Sequence, residues 1–274
     1  MRDGFEKVTL VAMFMQSQET RDRPRRPRRR VIAREIRQLS PQMRRVTFEG
    51  ADLTDFVWPG AAAHLKLVFP EPGQHTVPLP EPDVRPTSRT YTPRRFDAAT
   101  HRLDIDFVLH GEGPGSSWAD RAAAGDQLVM MGPARGYDID TNAAWYVIAA
   151  DESALPATET LLEALPPKTS ASVFVEVASA DEIRPLAGIT NADVRWLTRP
   201  VDRDRPGSAL LGALSEFVWP NGDGRIYVGC EAGAMRRIRR VLLETAGIDK
   251  SCITTRGYWR LGEVNHTDRD YGEE

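Results

Sequence analysis

With 274 residues the chain is too long for one ordinary small domain and fits two that each bury a core. Hydrophobic residues at 41% and charged residues at 27% exclude wholesale disorder, a collagen repeat and a disulfide scaffold, and two cysteines are too few for a thiolate metal site. The formal charge of −3 hides an asymmetry: residues 21–45 hold eleven arginines against Asp22 and Glu35, a local +9 that leaves −12 for the rest.

In chain order, residues 1–30 read as a basic arm, because Arg23–Arg30 mixes prolines with arginines and buries nothing. Val8–Met15 follows Glu6 and Lys7 and runs into arginines, which is not the layout of an exported leader. No apolar run approaches the ~20 residues of a membrane span, so a soluble, cytoplasmic protein is expected.

Residues 31–140 have the texture of a β domain. Short apolar runs recur at Val46–Phe48, Leu65–Phe69, Leu103–Leu109 and Leu128–Met131, separated by Pro/Gly punctuation. Leu103-Asp-Ile-Asp-Phe begins with strict alternation, the mark of a half-buried strand. One helix is expected over Ser116–Ala124, opened by serine and closed by Gly125. Strands at this spacing predict a barrel or sandwich.

Residues 141–274 change rhythm. Strands at 144–150, 172–177, 194–197 and 225–228 alternate with helices at 156–164, 209–217 and 232–245, the pattern of a parallel α/β sheet.

Five segments could carry chemistry. Arg89-Thr-Tyr-Thr-Pro-Arg94 offers a cation, a ring and short hydroxyls on a strand; a charged edge strand with Tyr91 half-buried would look the same. His110-Gly-Glu-Gly-Pro-Gly-Ser-Ser-Trp118 leads a glycine-rich turn into a helix N-terminus, a natural pyrophosphate seat, or an ordinary turn with a capping serine. Ala150-Asp-Glu-Ser-Ala-Leu-Pro-Ala157 follows the first α/β strand, where open parallel sheets bind nucleotides. Gly229-Cys-Glu-Ala-Gly-Ala-Met235 enters the basic run Arg236–Arg240, a phosphate contact or a solvated face. Arg256-Gly-Tyr-Trp-Arg-Leu-Gly262 sets two aromatics between arginines, either core or cover for a flat ring. No G-x-G-x-x-G or P-loop lysine motif is present in the nucleotide-binding position.

Together, over residues 31–262, these segments resemble the siderophore-interacting protein family, the NAD(P)H-dependent ferric-siderophore reductases related to ferredoxin reductases. The resemblance implies a six-stranded antiparallel FAD barrel followed by a parallel α/β NAD(P)H domain. It implies that Arg89, Thr90, Tyr91, Thr92 and Arg94 meet FAD. The strand residues Asp106, Phe107, Val108, Leu109 and His110 would line the flavin edge, mostly through backbone. Gly115, Ser116, Ser117 and Trp118 would seat its pyrophosphate and adenosine side. On the nicotinamide side it implies Asp151, Glu152, Ser153, Ala154, Pro156 and Ala157, with Glu231, Tyr258, Trp259 and Arg260. Lys66, Arg135 and Arg260 would attract an anionic ferric siderophore. The chain departs from the family at Gly132-Pro-Ala-Arg-Gly136, where the family has Gly-Pro-Arg-Gly or Gly-Pro-Gly-Gly, and at Cys230.

The implied chemistry is hydride transfer from NADPH or NADH to FAD, then one-electron reduction of chelated Fe(III). Glu176 could accept from a ribose hydroxyl and favour NADH, whereas Arg236–Arg240 could accept a 2′-phosphate. Competing readings are a flavin reductase of ferredoxin, flavodoxin or a quinone, a non-catalytic siderophore carrier, and a nucleic-acid binder using the arginine arm. A monomer without a stable nucleic-acid or membrane partner is expected.

Overall fold

The computed structural model describes residues 27–80, 86, 88–111, 113–186, 192–199, 205–264, 266 and 270–272. Seven strands form one antiparallel sheet: β1 (Arg28–Ser40), β2 (Met43–Glu49), β3 (His64–Val68), β4 (Ser88–Tyr91), β5 (Pro93–Asp97), β6 (Arg102–Val108) and β7 (Gln127–Ala134), in the order β4-β3-β7-β1-β2-β6-β5. The two edge segments, β4 and β5, are consecutive in sequence, separated only by Thr92. Six strands were expected, and the seventh comes from this break. Proline lacks a ladder donor, so the strand splits at Pro93 and pairs β3 with one half and β6 with the other. That crossing brings the sheet back on itself.

The arm expected over residues 1–30 is shorter at its inner end. Residues 1–26 lie outside the described residues, and Arg28–Arg30 open β1, paired with β7. Arg29 is buried there and donates to Asp55 and to the Gly132 carbonyl. The charge run masked the alternation of Val31 and Ala33, both fully buried. Arg34 and Arg37 lie on β1, and Arg44 and Arg45 on β2.

The barrel core gathers Phe48, Leu65, Leu67, Leu103, Ile105, Phe107, Leu128 and Met130. Each such side chain contributes about 1.5–3 kcal/mol on leaving water. Helix α1 (Pro114–Arg121) plugs it with Trp118, stacked on Phe48 at 5.9 Å.

The second sheet is parallel throughout, in the order β10-β9-β8-β11-β12. Its strands are β8 (Trp145–Asp151), β9 (Ser170–Val177), β10 (Ala192–Thr198), β11 (Gly224–Glu231) and β12 (Ile253–Trp259). Helix α2 (Leu155–Ala164) covers one face, and α3 (Ser208–Ser215) and α4 (Ala232–Arg240) cover the other. The helix expected over 232–245 becomes α4 followed by a π-helical turn at Val241–Thr245. Strand β12 had no hydrophobic signature; it is the edge strand that carries the aromatic segment Tyr258-Trp259.

Met43, Ala61 and Ala62 of the barrel share one apolar cluster with Tyr146, Leu155, Leu161 and Tyr227. The carboxyl ends of β8 and β11, where open α/β sheets bind ligands, carry Asp151 and Glu231. Among the described residues no helix is long and apolar enough to cross a membrane.

Candidate functional site

On β4 the pairing sorts the motif onto two faces. Leu67 opposes Arg89 and Leu65 opposes Tyr91, while Lys66 opposes Thr90. Directly opposed residues share a face. Arg89 and Tyr91 therefore stand on the side of the leucine pair, and Lys66 with Thr90 on the other, where Lys66 Nζ lies 3.3 Å from Thr90 Oγ1. Tyr91 packs its ring 4.6 Å from that of Phe107, and burial holds its hydroxyl well above the usual phenol range. It stays a neutral donor.

Helix α1 meets Tyr91 at Gly115. A methyl group there would lie 1.9 Å from the Tyr91 hydroxyl, so only a bare backbone allows this approach. No side chain caps the N-terminus of α1, and Pro114 occupies its first turn. The turn before it is folded by a hydrogen bond from the His110 N–H to Ser116 Oγ at 2.9 Å. An uncapped positive helix end, a glycine pressed on a tyrosine and an arginine two residues before that tyrosine form a donor set that fits a dinucleotide pyrophosphate and a flat ring. The residues present fit FAD.

Four residues expected at FAD have side chains engaged elsewhere. Trp118 is 2% exposed and belongs to the barrel core, as does Phe107 at 0%; their size makes them worth more as packing than as contacts. Asp106 is held by Arg45 through two bonds of 2.6 and 2.7 Å. Arg94 points across the domain seam to Glu159 and Glu163. Val108, Leu109 and His110 are half-buried to exposed at the end of β6, and Ser117 is half-buried in the first turn of α1.

On the other side, Asp151 ties three strand ends together. One carboxylate oxygen accepts from Ser153, through its N–H at 3.0 Å and its hydroxyl at 2.5 Å. The other accepts from the Glu231 N–H at 2.9 Å and from Trp259 Nε1 at 2.8 Å. Burial still raises the Asp151 carboxyl, with the bonds from Ser153 and Trp259 opposing the rise. Glu231 caps α4 through the Ala234 N–H at 2.7 Å. Glu152 pairs with Arg199 at 2.9 Å. Ala154, Pro156 and Ala157 are buried where α2 starts. Asp151, Glu231 and Trp259, far apart in sequence, are thus assembled as one shelf by direct hydrogen bonds.

Tyr258 closes the arrangement. Its hydroxyl lies 3.0 Å from that of Tyr227, and its ring packs against the apolar cluster that Met43, Ala61 and Ala62 of the barrel share with the α/β domain. Burial raises the Tyr258 hydroxyl above its usual range. The outer cations are differently engaged. Arg135 meets Asp138 at 2.8 Å and Arg260 meets Glu263 at 3.2 Å, both in exposed pairs that contribute little and exchange readily.

Two expectations about the reductant change. Glu176 is fully buried; its oxygens accept from the N–H groups of Gly207 and Ala209 and pair with Arg199, so it caps α3. It is not open to a ribose. Arg236 is bound to Asp270 and Arg237 to the Pro206 carbonyl. Sequence reasoning missed Tyr227, Glu159, Glu163 and Arg184. Two acids four residues apart on the otherwise uncharged helix 155–164 were the available signal.

Residues 32–137 match the siderophore-interacting FAD-binding domain and residues 143–262 the siderophore-interacting protein domain. The chain belongs to the siderophore-interacting protein family. It is 31% identical to the ferric vibriobactin reductase ViuB of Vibrio cholerae, over 84% of this chain and 90% of that one. It is 32% identical to the NADPH-dependent ferric-chelate reductase of Escherichia coli, over 70% of this chain and 80% of that one. A crystal structure of a siderophore utilization protein from T. fusca superposes with a TM-score of 0.78 at 37% identity, covering 88% of this chain and 96% of that one. The more distant ferredoxin reductase of carbazole 1,9a-dioxygenase, at 12% identity and a TM-score of 0.61 over 85% of this chain and 70% of that one, shares the fold. As in this family, the first domain is FAD-binding.

Proposed function

We propose that this member of the siderophore-interacting protein family is an FAD-dependent reductase that uses NAD(P)H to reduce Fe(III) held in a siderophore. The observation that carries the reading is the seam cluster in which Met43, Ala61 and Ala62 of the barrel pack with Tyr227 and Tyr258 of the α/β domain, joining the half that holds the barrel motif to the half that holds the aromatic shelf. A two-electron donor and a flavin bound on either side of that seam would meet face to face.

In this reading Arg89 and the uncapped α1 N-terminus at Gly115 and Ser116 hold the FAD pyrophosphate, and Tyr91 packs on its ring. Thr92 supplies a short donor, Thr90 stands with Lys66 on the other face of β4, and Val108–His110 present the edge of β6. Ser153, the start of α2 and the Tyr258-Trp259 pair shape the nicotinamide side. FAD supplies the chemistry that splits one hydride into single electrons, so one NAD(P)H reduces two Fe(III) with release of one proton. Hard oxygen ligands hold Fe(II) far less tightly than Fe(III), so reduction frees the metal. Lys66, Arg135 and Arg260 draw in the anionic chelate, against the acidity of the rest of the chain. Glu176 is taken by α3, and Arg236 and Arg237 by Asp270 and the Pro206 carbonyl, so neither sequence cue selects the reductant; the similarity to an NADPH-dependent ferric-chelate reductase favours NADPH.

The protein acts in the cytoplasm as a monomer, with the flavin half running from β1 to about residue 140 and the NAD(P)H half over residues 141–274. The test is to purify it, look for a flavin spectrum, and follow NADPH-driven capture of Fe(II) from ferric chelates by a ferrous-specific dye. A protein that binds no flavin, or binds it without reducing any ferric chelate, refutes the reading.

A further inference from the structure

Arg94 lies two residues beyond Thr92 on β5, and it is 5% exposed. Its Nε donates to Glu159 at 2.7 Å, and its two terminal nitrogens donate to Glu163 at 3.0 and 2.6 Å. Glu159, 1% exposed, gives its other oxygen to Arg184 at 2.8 Å. Both glutamates stand on α2, which begins within the segment 151–157 of the nicotinamide side. The chain thus runs from the barrel motif to the α/β motif through charged groups alone.

Such a network is an odd choice for stability. Buried ion pairs lose in desolvation most of what they gain, and an apolar replacement often holds as well. What they provide is geometry, because a guanidinium fork sets distance and angle to two carboxylates at once. The domains also have other attachments. The Gln42 N–H and Ser40 hydroxyl reach Glu182 at 2.9 and 2.5 Å, the Ala62 N–H reaches Thr160 at 3.0 Å, and an apolar cluster spans the seam. Without the network the halves would stay joined but lose one fixed angle.

We infer that Arg94, held by Glu159 and Glu163 with Arg184 anchoring Glu159, is a positioning residue that sets the approach of the nicotinamide half to the flavin half. The inference rests on the proposed hydride route, and concerns its alignment rather than its existence. A displacement of about 1 Å at a reacting pair can cost on the order of 100-fold in rate. Arg94 touches neither motif's ring, so its loss should strike hydride transfer and spare what each domain does by itself.

The experiment compares the full chain with Arg94→Lys and with Glu163→Gln, whose partly exposed side chain makes it the milder change. FAD affinity is measured by fluorescence titration, flavin reduction by stopped flow with NADPH, and reoxidation of photoreduced protein by a ferric chelate. Flavin reduction should slow about 10- to 100-fold in Arg94→Lys, with FAD affinity and reoxidation within about twofold of the parent. Glu163→Gln should slow the same step by a smaller factor. In the apoproteins, hydrogen exchange should rise in 93–97 and 155–164 and not in the rest of the barrel. Flavin reduction unchanged in both variants overturns the inference, as does equal loss of FAD affinity and both half-reactions. If the parent's flavin is not reduced by NADPH at all, it is the proposed function that fails, and the exchange pattern alone then decides whether the clasp aligns the domains.

Discussion

Replacing Gly115 by alanine separates two expectations that point in opposite directions. On propensity alone, alanine improves a helix interior by about 0.8–1.0 kcal/mol, and less in a first turn. Gly115 needs no unusual backbone angle, so nothing local opposes the change. The tertiary structure does: the new methyl carbon would lie 1.9 Å from the Tyr91 hydroxyl, 3.1 Å from its ring carbon Cζ and 3.3 Å from Phe69 Cζ. Tyr91 cannot swing freely, because Phe69 and Phe107 flank it with centroids at 6.0 and 4.6 Å. Overpacking of this kind costs about 1–3 kcal/mol. The strain falls between the tyrosine and the helix end that we assign to FAD, so it should appear as an affinity loss of about 5- to 150-fold. Titrating the apoprotein with FAD measures it. Tyr91→Phe in the same background removes the closest contact, so the double variant should recover part of its fit and the two changes should be non-additive. Binding of FAD by Gly115→Ala within twofold of the parent would refute the placement of this helix end against Tyr91.

Three further outcomes are expected. Burial alone would raise the Glu159 carboxyl, but Arg184 and Arg94 hold it below its usual 4.5. A lowered folded value means that its stabilisation is present above about 4.5 and lost as the pH falls through the folded value. The stability difference between the parent and Glu159→Gln, from urea unfolding, should therefore shrink as the pH is taken from 6 toward 3. Removing Lys66, Arg135 or Arg260 should raise KM severalfold for an anionic ferric chelate, leave a neutral one unaffected and change stability by less than about 0.5 kcal/mol. Glu176→Gln should cost about 1–3 kcal/mol by weakening the α3 cap, read by thermal unfolding, while the ratio of NADH to NADPH activity stays as in the parent; a switch in that ratio would restore Glu176 as a ribose ligand.

How much was legible depended on how local each signal was. The alternation at Leu103–Phe107 and the apolar run at 144–150 produced β6 and β8 within one or two residues, because burial on one or both faces is written directly into the order of side chains. β1 and β12 were not legible as strands. The first is full of arginines whose partners, Asp55 in a turn and Glu49 on β2 among them, lie elsewhere in the chain. The second is an edge strand whose threonines and glycine are matched only by β11. At the site, Arg89, Tyr91 and Gly115 were found because a cation, a ring and a bare backbone at fixed spacing have a chemical meaning by themselves. Arg94 and Trp118 sit in the same motifs yet do other work, and their sequence neighbourhood held no sign of it.

The asymmetry of charge divides in the same way. Local composition alone shows that positive charge is concentrated in residues 21–45 and that the rest of the chain is acidic, since charge belongs to each residue wherever it lies. Which arginines face water is decided by the partners that distant strands and helices deliver. Arg29, Arg45 and Arg94 are drawn inward by Asp55, Asp106 and Glu159, whereas Arg135 and Arg260 meet only near neighbours and stay at the surface. A charge can be buried only beside its complement, and that complement is supplied by the fold.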